Sequence, residues 1–228
     1  MRLLVSPRDV EEAKRSGAAD IIDVKRPAEG SLGANFPWII RAVKDLSDKP
    51  VSAAIGDFDF RPGGAALAAY GAAHAGADYV KIGLMFDGAK RAEEVIGAVV
   101  RAVKEEFPEK FVVIAAYSDY ERLGTISPFV MSPLAAAAGA DVAMVDTGRK
   151  DGKSTFEFMN EEELAEFAGM NGAAGMQTAL AGSLCFEHIP ALKRINPDII
   201  GVRGMVCGGN RNSTIQEDLV IRLARMVG

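Results

Sequence analysis

Reactive side chains of the usual kinds are scarce in this chain of 228 residues, which has two cysteines, two histidines and one tryptophan. Cys185 and Cys207 are too few to staple a chain of this length, and no CxxC pair or Cys/His cluster offers zinc-site spacing, so no metal is expected. A reducing cytoplasm is the simplest setting. No run of roughly 18 apolar residues is present, and the opening MRLLVSPRD lacks the long apolar core of a secretion signal, so neither a membrane span nor export is expected. Positive charge is not in excess either: 26 Lys and Arg stand against 31 Asp and Glu, a net charge of −5. A nucleic-acid partner needs a basic stripe along the phosphate backbone, and none is expected here. Also missing is the GxGxxG fingerprint after a first strand, which argues against an open, doubly wound dinucleotide-binding sheet.

What the chain does have is one unit repeated eight times, a short apolar strand followed by an amphipathic or alanine-rich helix. The expected strands are Leu3 to Ser6, Ile21 to Lys25, Val51 to Gly56, Tyr79 to Leu84, Phe111 to Tyr117, Val142 to Thr147, Met176 to Gly182 and Ile199 to Gly204. Helices are expected to begin near Pro7, Pro37, Gly63, Ala89, Pro128, Asn160, Cys185 and Ser213. Eight such pairs with short connections predict a single α/β domain over residues 1–228, a (β/α)8 TIM barrel. Ser6-Pro7 reads as an N-cap followed by proline at the first helical position. The string GA-D recurs at Gly17 to Asp20, Gly76 to Asp78 and Gly139 to Asp141, where glycine suits a left-handed helix end. Trp38 opens a helix and is expected to pack against the barrel. The alanine-rich helix after Gly63-Gly64 is slim enough to seat a second copy, which leaves a homo-oligomer open.

Ionisable groups interrupt several of these strands, where burial is costly unless the group is paired or used. Alternation puts Ile21, Asp23 and Lys25 on one face, Tyr79, Lys81 and Gly83 on one face, and Val142, Met144 and Asp146 on one face. Asp23, Lys25, Asp57, Lys81, Tyr117, Asp146, Gly182, Ser183 and Arg203 fall at or near C-terminal strand ends, the rim where barrels of this kind keep their chemistry. The histidines do not: His74 and His188 sit in helical stretches. That leaves lysine and carboxylate chemistry. A deprotonated rim lysine attacks a carbonyl to form a Schiff base, whose protonated nitrogen is an electron sink. Lys25 and Lys81 could depress one another's protonation, and Asp23, two residues from Lys25, could orient it. After strands seven and eight come Gly182-Ser183 and Arg203-Gly204, then GGNR ending at Arg211, glycine-rich loops in the position of a phosphate cradle.

The strings VSPRDVEEA, ADIIDVKRPAEGSLGANFPWII, GADYVKIGL, GADVAMVDTGRKDGKSTF, LAGSL and IIGVRG closely resemble the (5-formylfuran-3-yl)methyl phosphate synthases of methanofuran biosynthesis, from the first strand to the last. The resemblance implies an aldolase-like lyase that condenses two glyceraldehyde 3-phosphate molecules into a phosphorylated furaldehyde, releasing phosphate and water. It assigns the Schiff base to Lys25, general-base work to Lys81, and proton transfer and charge stabilisation to Asp23, Asp146 and Lys150. No cofactor is implied. Gly182, Ser183, Gly204, Lys153, Arg203 and Arg211, with Lys150, are the candidates for holding the phosphates of the small-molecule triose substrate. Another sugar-phosphate lyase or isomerase, or a non-catalytic phospho-ligand sensor, would use the same pocket.

Overall fold

Each apolar segment pairs in parallel with its neighbour in sequence, and the eighth returns to the first, so the computed structural model, which describes residues 1–228, is a closed eight-stranded barrel. The strands are β1 (Arg2–Val5), β2 (Ile21–Val24), β3 (Val51–Phe58), β4 (Tyr79–Leu84), β5 (Phe111–Tyr117), β6 (Val142–Asp146), β7 (Gln177–Leu180) and β8 (Ile199–Val202). Around them run α1 (Val10–Lys14), α2 (Pro37–Leu46), α3 (Pro62–His74), α4 (Ala89–Lys104), the short α5 (Tyr120–Leu123), α6 (Pro128–Ala138), α7 (Glu161–Ala173), α8 (Ile189–Ile195) and α9 (Glu217–Val227). None of these helices is long and apolar enough to cross a membrane.

The expected alternation is what divides the core. Leu4, Ile21, Ala54, Tyr79, Val113, Val142, Met144 and Ile199 fill the barrel lumen as one cluster, while the alternate residues, such as Ile22, Val24, Val80 and Ile82, join a larger layer beneath the helices. Strands buried on both faces account for the near-continuous apolar runs in the sequence.

Several boundaries differ from expectation for identifiable reasons. The first helix is capped by Asp9, whose carboxylate accepts the Glu12 N–H at 2.8 Å, and not by Ser6. Ser6 Oγ is engaged elsewhere, donating to Asp23 at 2.8 Å. The last helix begins at Glu217 because the segment after β8 forms a 3-10 turn over Gly204–Cys207 and then a glycine-rich loop. Trp38 does not pack against the barrel: it is 63% exposed and stacks on Phe36 with ring centroids 4.5 Å apart.

The GA-D strings do more than end helices. Gly76 and Gly139 adopt positive φ as expected, but Gly17 does not, so the consistent element is the aspartate. Immediately before each even-numbered strand, an aspartate accepts a backbone N–H from the preceding odd strand: Asp20 from Leu3 (2.8 Å), Asp78 from Val51 (2.7 Å), Asp141 from Val112 (2.6 Å) and Asp198 from Thr178 (2.8 Å). Lys44 and Lys104 add ion pairs to Asp78 and Asp141. These staples ring the N-terminal mouth of the barrel, away from the rim that bears the ionisable cluster. Replacing Asp78 by Ala leaves the buried Val51 N–H unpaired. Urea denaturation is expected to show a loss of about 1–3 kcal/mol, with ligand binding at the opposite mouth unchanged. A loss under about 0.5 kcal/mol would mean the staple carries no weight.

Candidate active site

Three lysines and two aspartates converge at the C-terminal mouth. Asp23 lies on β2 opposite Ser52 of β3 in register, and its carboxylate, with no exposure, accepts Ser6 Oγ at 2.8 Å, Ser52 Oγ at 2.7 Å and Lys81 Nζ at 2.7 Å. Lys81, 1% exposed, reaches it from β4. Burial pushes the Asp23 carboxyl up, but the Lys81 and Lys25 charges and the hydrogen bonds from Lys81 and Ser52 outweigh it and hold the group below the usual carboxylate range. Asp146, at the end of β6, repeats the arrangement: it accepts Lys150 Nζ at 2.6 Å and the Thr147 N–H at 2.7 Å. Burial opposes its ionisation too, and Lys150 and Lys25 again pull it below the ordinary range.

Lys25 is different. Its ammonium makes no ion pair and no hydrogen bond, although the residue is only 7% exposed. Burial drives its pKa down to about 8; Asp146 and Asp23 oppose that shift, while Lys81 and Lys150 reinforce it. At pH 7 roughly one Lys25 in ten is then the neutral amine, against about one in three thousand for an ordinary lysine. The expectation that Lys25 is depressed by Lys81 agrees with this geometry, although burial leads. The expectation that Asp23 orients Lys25 does not: Asp23 accepts from Lys81 and two serines and makes no hydrogen bond with Lys25.

A cavity of about 730 Å³ opens above this cluster, with Lys25, Lys81, Asp146 and Lys150 on its floor and the loops after β7 and β8 as its far wall. Gly182 and Ser183 both take positive φ, and the N–H groups of Gly182, Ser183 and Leu184 find no acceptor in the protein. A β-carbon at Gly182 would collide with Thr147 and Thr155. Unpaired donors on a left-handed turn are the kind of arrangement that can receive an anion. Gly204 and Arg211 line the same wall, and Arg211 has no carboxylate partner; its guanidinium donates only to the Gly30 carbonyl, at 3.4 Å, and burial lowers its pKa.

Two of the expected phosphate ligands stand differently. Lys153 is exposed, outside the cavity wall, with its ammonium 5.9 Å from the Phe158 ring centroid. Arg203 lines the cavity but spends all five N–H groups within the protein, on Glu12 and on the carbonyls of Ser6, Arg211 and Ser213. Neither histidine reaches the cavity: His74 is exposed beside Tyr70, and His188 stacks on Phe156. Ser6 and Ser52, which seat Asp23, carried no sequence signal beyond the parity of Ser52. A second buried set was visible only as separate rim residues: Tyr117 donates to Asp57, which also accepts the Leu32 N–H at 3.1 and 3.2 Å and so ties the loop after β2 over the barrel.

The profile of the 4-HFC-P synthase family matches residues 3–224. The chain belongs to this family. Among its relatives named (5-formylfuran-3-yl)methyl phosphate synthase, the protein of Methanosarcina mazei is 58% identical over 98% of this chain and 97% of its own. That of Methanocaldococcus jannaschii is 52% identical over 99% of each chain. Family membership at this level makes the chain an enzyme. Solved barrels share the fold at far lower identity: 3-hexulose-6-phosphate synthase at 20% with a TM-score of 0.69 over the whole of both chains, and orotidine 5'-monophosphate decarboxylase of Methanocaldococcus jannaschii at 16% and 0.69 over 100% of this chain and 98% of the other.

For a 4-HFC-P synthase family member with this site, arylation by fluorodinitrobenzene followed by peptide mapping should modify Lys25 at a rate that rises with a midpoint near pH 8, because only the neutral amine reacts; the rates of surface lysines should rise about two pH units higher. A Lys25 midpoint near 10 would refute the depressed amine. Arg211→Ala should weaken inorganic phosphate binding about tenfold or more, and Lys153→Ala by less than about twofold, in calorimetric titrations.

Proposed function

We propose that this enzyme is a (5-formylfuran-3-yl)methyl phosphate synthase of methanofuran biosynthesis, a lyase that builds its product from two glyceraldehyde 3-phosphate molecules with Lys25 as the Schiff-base nucleophile. The observation that carries the reading is that Lys25 alone of the three rim lysines has no ion pair, while its burial lowers its pKa. Support for the substrate comes from the relatives' name and from an anion-binding wall that faces this amine.

Chemistry restricts the order of steps. The two trioses contain one phosphate and two waters more than the product, so one phosphoric acid and two water molecules must leave. The product's phosphomethyl branch on ring carbon 3 means that the new bond joins carbon 3 of one triose, the carbon that loses its phosphate, to carbon 2 of the other. Attack of the enamine's carbon 2 on the second aldehyde would also give a branched skeleton, but the carbon in the formyl position would then be the phosphomethyl carbon of the second triose, one oxidation level too low. In the order that fits, Lys25 adds to the aldehyde of the first triose and loses water to form the imine. Loss of the carbon 2 proton then gives an enamine that expels phosphate from carbon 3. The resulting enol attacks carbon 2 of the second triose in its ketone form, reached by a proton shift between carbons 1 and 2. Closure of a hydroxyl onto a carbonyl forms the ring; dehydration and hydrolysis of the imine release the product and free Lys25.

Each of these steps moves protons, and the site supplies movers without histidine. Lys150, paired with Asp146 on the cavity floor, and Lys81, paired with Asp23 below it, flank Lys25 as two proton-exchanging couples. Gly182, Ser183, Gly204 and Arg211 are the groups placed to hold phosphate esters. The electron sink is the imine itself, so the scheme calls for no cofactor.

Borohydride added to protein turning over glyceraldehyde 3-phosphate should leave a triose-derived mass on Lys25, with a parallel unquenched sample releasing one phosphate per furan chromophore formed. An adduct on Lys25 without phosphate release would replace this reading with an open-chain aldolase; an adduct on Lys81 or Lys150 would overturn the assignment of the nucleophile.

A further inference from the structure

One buried ion pair has no part in the steps above. Glu12, on α1 and 1% exposed, faces Arg203, which is 6% exposed at the end of β8. Arg203 Nη1 donates to Glu12 Oε2 at 2.7 Å and Nη2 to Oε1 at 3.3 Å, a two-pronged contact. The remaining donors take the carbonyls of Ser6 at 2.7 Å, Arg211 at 2.7 Å and Ser213 at 3.3 Å. Glu12 Oε2 also accepts the Arg8 N–H at 3.0 Å, and Arg8 reaches the Asn212 carbonyl at 3.2 Å. One carboxylate thus organises two arginines whose donors grip three successive residues of the loop after β8 and Ser213's carbonyl among them, while Arg211 of that loop turns into the cavity.

A buried ion pair is a poor device for stability alone, because the desolvation of both charges offsets their attraction and an apolar pair of similar volume would serve as well. What it offers that an apolar pair cannot is a rigid fork of donors with fixed directions. Here every prong ends on Glu12 or on a carbonyl of the two segments that frame the cavity wall. We propose that Glu12 is a positioning residue for phosphate binding, holding the loop from Gly208 to Ser213 through Arg203 so that Arg211 faces the bound ester. The inference rests on the reading of this cavity as a phosphate-ester site.

The experiment is a double-mutant cycle read by titration with inorganic phosphate, on the full chain: wild type, Glu12→Gln, Arg211→Ala and the pair together. Glutamine keeps the volume of Glu12 but turns one oxygen into an NH2 that faces the guanidinium, so the fork is broken without a cavity. Glu12→Gln is expected to weaken phosphate binding about tenfold, and the double variant to bind no more weakly than Arg211→Ala alone, because groups acting as one unit are not additive. Steady-state kinetics should show the same substitution raising KM for the triose phosphate with kcat held within about threefold. Phosphate affinity equal to wild type in Glu12→Gln, whatever its thermal midpoint, overturns the proposal, as does a double variant whose loss is the product of the two single losses. If Glu12→Gln does not fold, Glu12→Asp, which keeps the charge but shortens its reach by one methylene, is judged by the same two criteria. Wild type that binds no phosphate overturns this proposal; wild type that binds phosphate but forms no furan overturns only the reaction assigned above.

Discussion

The site depends on an imbalance of charge. Three lysines meet two aspartates where side chains are largely buried, and each aspartate takes one lysine: Lys81 with Asp23 at 2.7 Å, Lys150 with Asp146 at 2.6 Å. Lys25 is left over. It lies close enough to both carboxylates for their attraction to resist deprotonation, yet burial and the two neighbouring ammonium groups prevail. Had a third carboxylate been present, the same barrel could hold three satisfied ion pairs and no unpaired amine. The serines matter for the same reason. Ser6 and Ser52 donate to Asp23 beside Lys81, so that carboxylate accepts one lysine and two hydroxyls.

The two mouths of the barrel divide the work. At the N-terminal mouth, four aspartates in matching positions before the even strands accept strand N–H groups, a regular pattern in which each carboxylate has a structural use. At the C-terminal mouth, free N–H groups on Gly182 to Leu184 and an arginine with no carboxylate partner are left open to a ligand. Function in this architecture collects where loops can vary without disturbing the strand pairing beneath them. The loop after β2 shows how far that can go: Leu32 drops into the lumen cluster and its N–H is held by Asp57, so a surface loop forms part of the core on one side and of the rim on the other.

Much of this was legible in the sequence, and the boundary of legibility has a physical origin. Strand parity is a local property, and from it Asp23, Lys25, Lys81 and Asp146 could be turned toward one lumen without knowledge of the fold. Choice of partner is not local. Nothing in the spacing of Asp23 and Lys25 reveals that Asp23 lies nearer to Lys81, 58 residues away, than to an available bond with Lys25. Arg203 is a similar case: a cation in a glycine-rich loop after the last strand reads as a phosphate ligand, and only the position of Glu12 on the first helix, 191 residues earlier, shows where its donors go. Trp38 marks the opposite limit, since an aromatic side chain at a helix start gives no sign of whether it faces the barrel or, as here, solvent.

The unpaired amine of Lys25 also sets a load on the fold that other parts must carry. A lysine whose pKa is about 8 in the native state and 10.5 when unfolded binds fewer protons folded than unfolded between those pH values, so stability rises with pH across that window. Below pH 8 both states are protonated and the penalty for keeping the charged amine buried is present in full, roughly 3 kcal/mol from a shift of about 2.5 pH units. Asp23 and Asp146 act in the opposite sense: with native pKa values below the usual range, they contribute stability that is present above their unfolded pKa and lost only as acid protonates them. Near neutral pH the carboxylates therefore stabilise what Lys25 strains, and both effects come from the same few ångströms of lumen. A site of this kind is most strained where its amine is mostly protonated and becomes both more reactive and less costly to the fold as pH rises through 8. Reactivity and stability, usually opposed at a catalytic centre, here change in the same direction with pH.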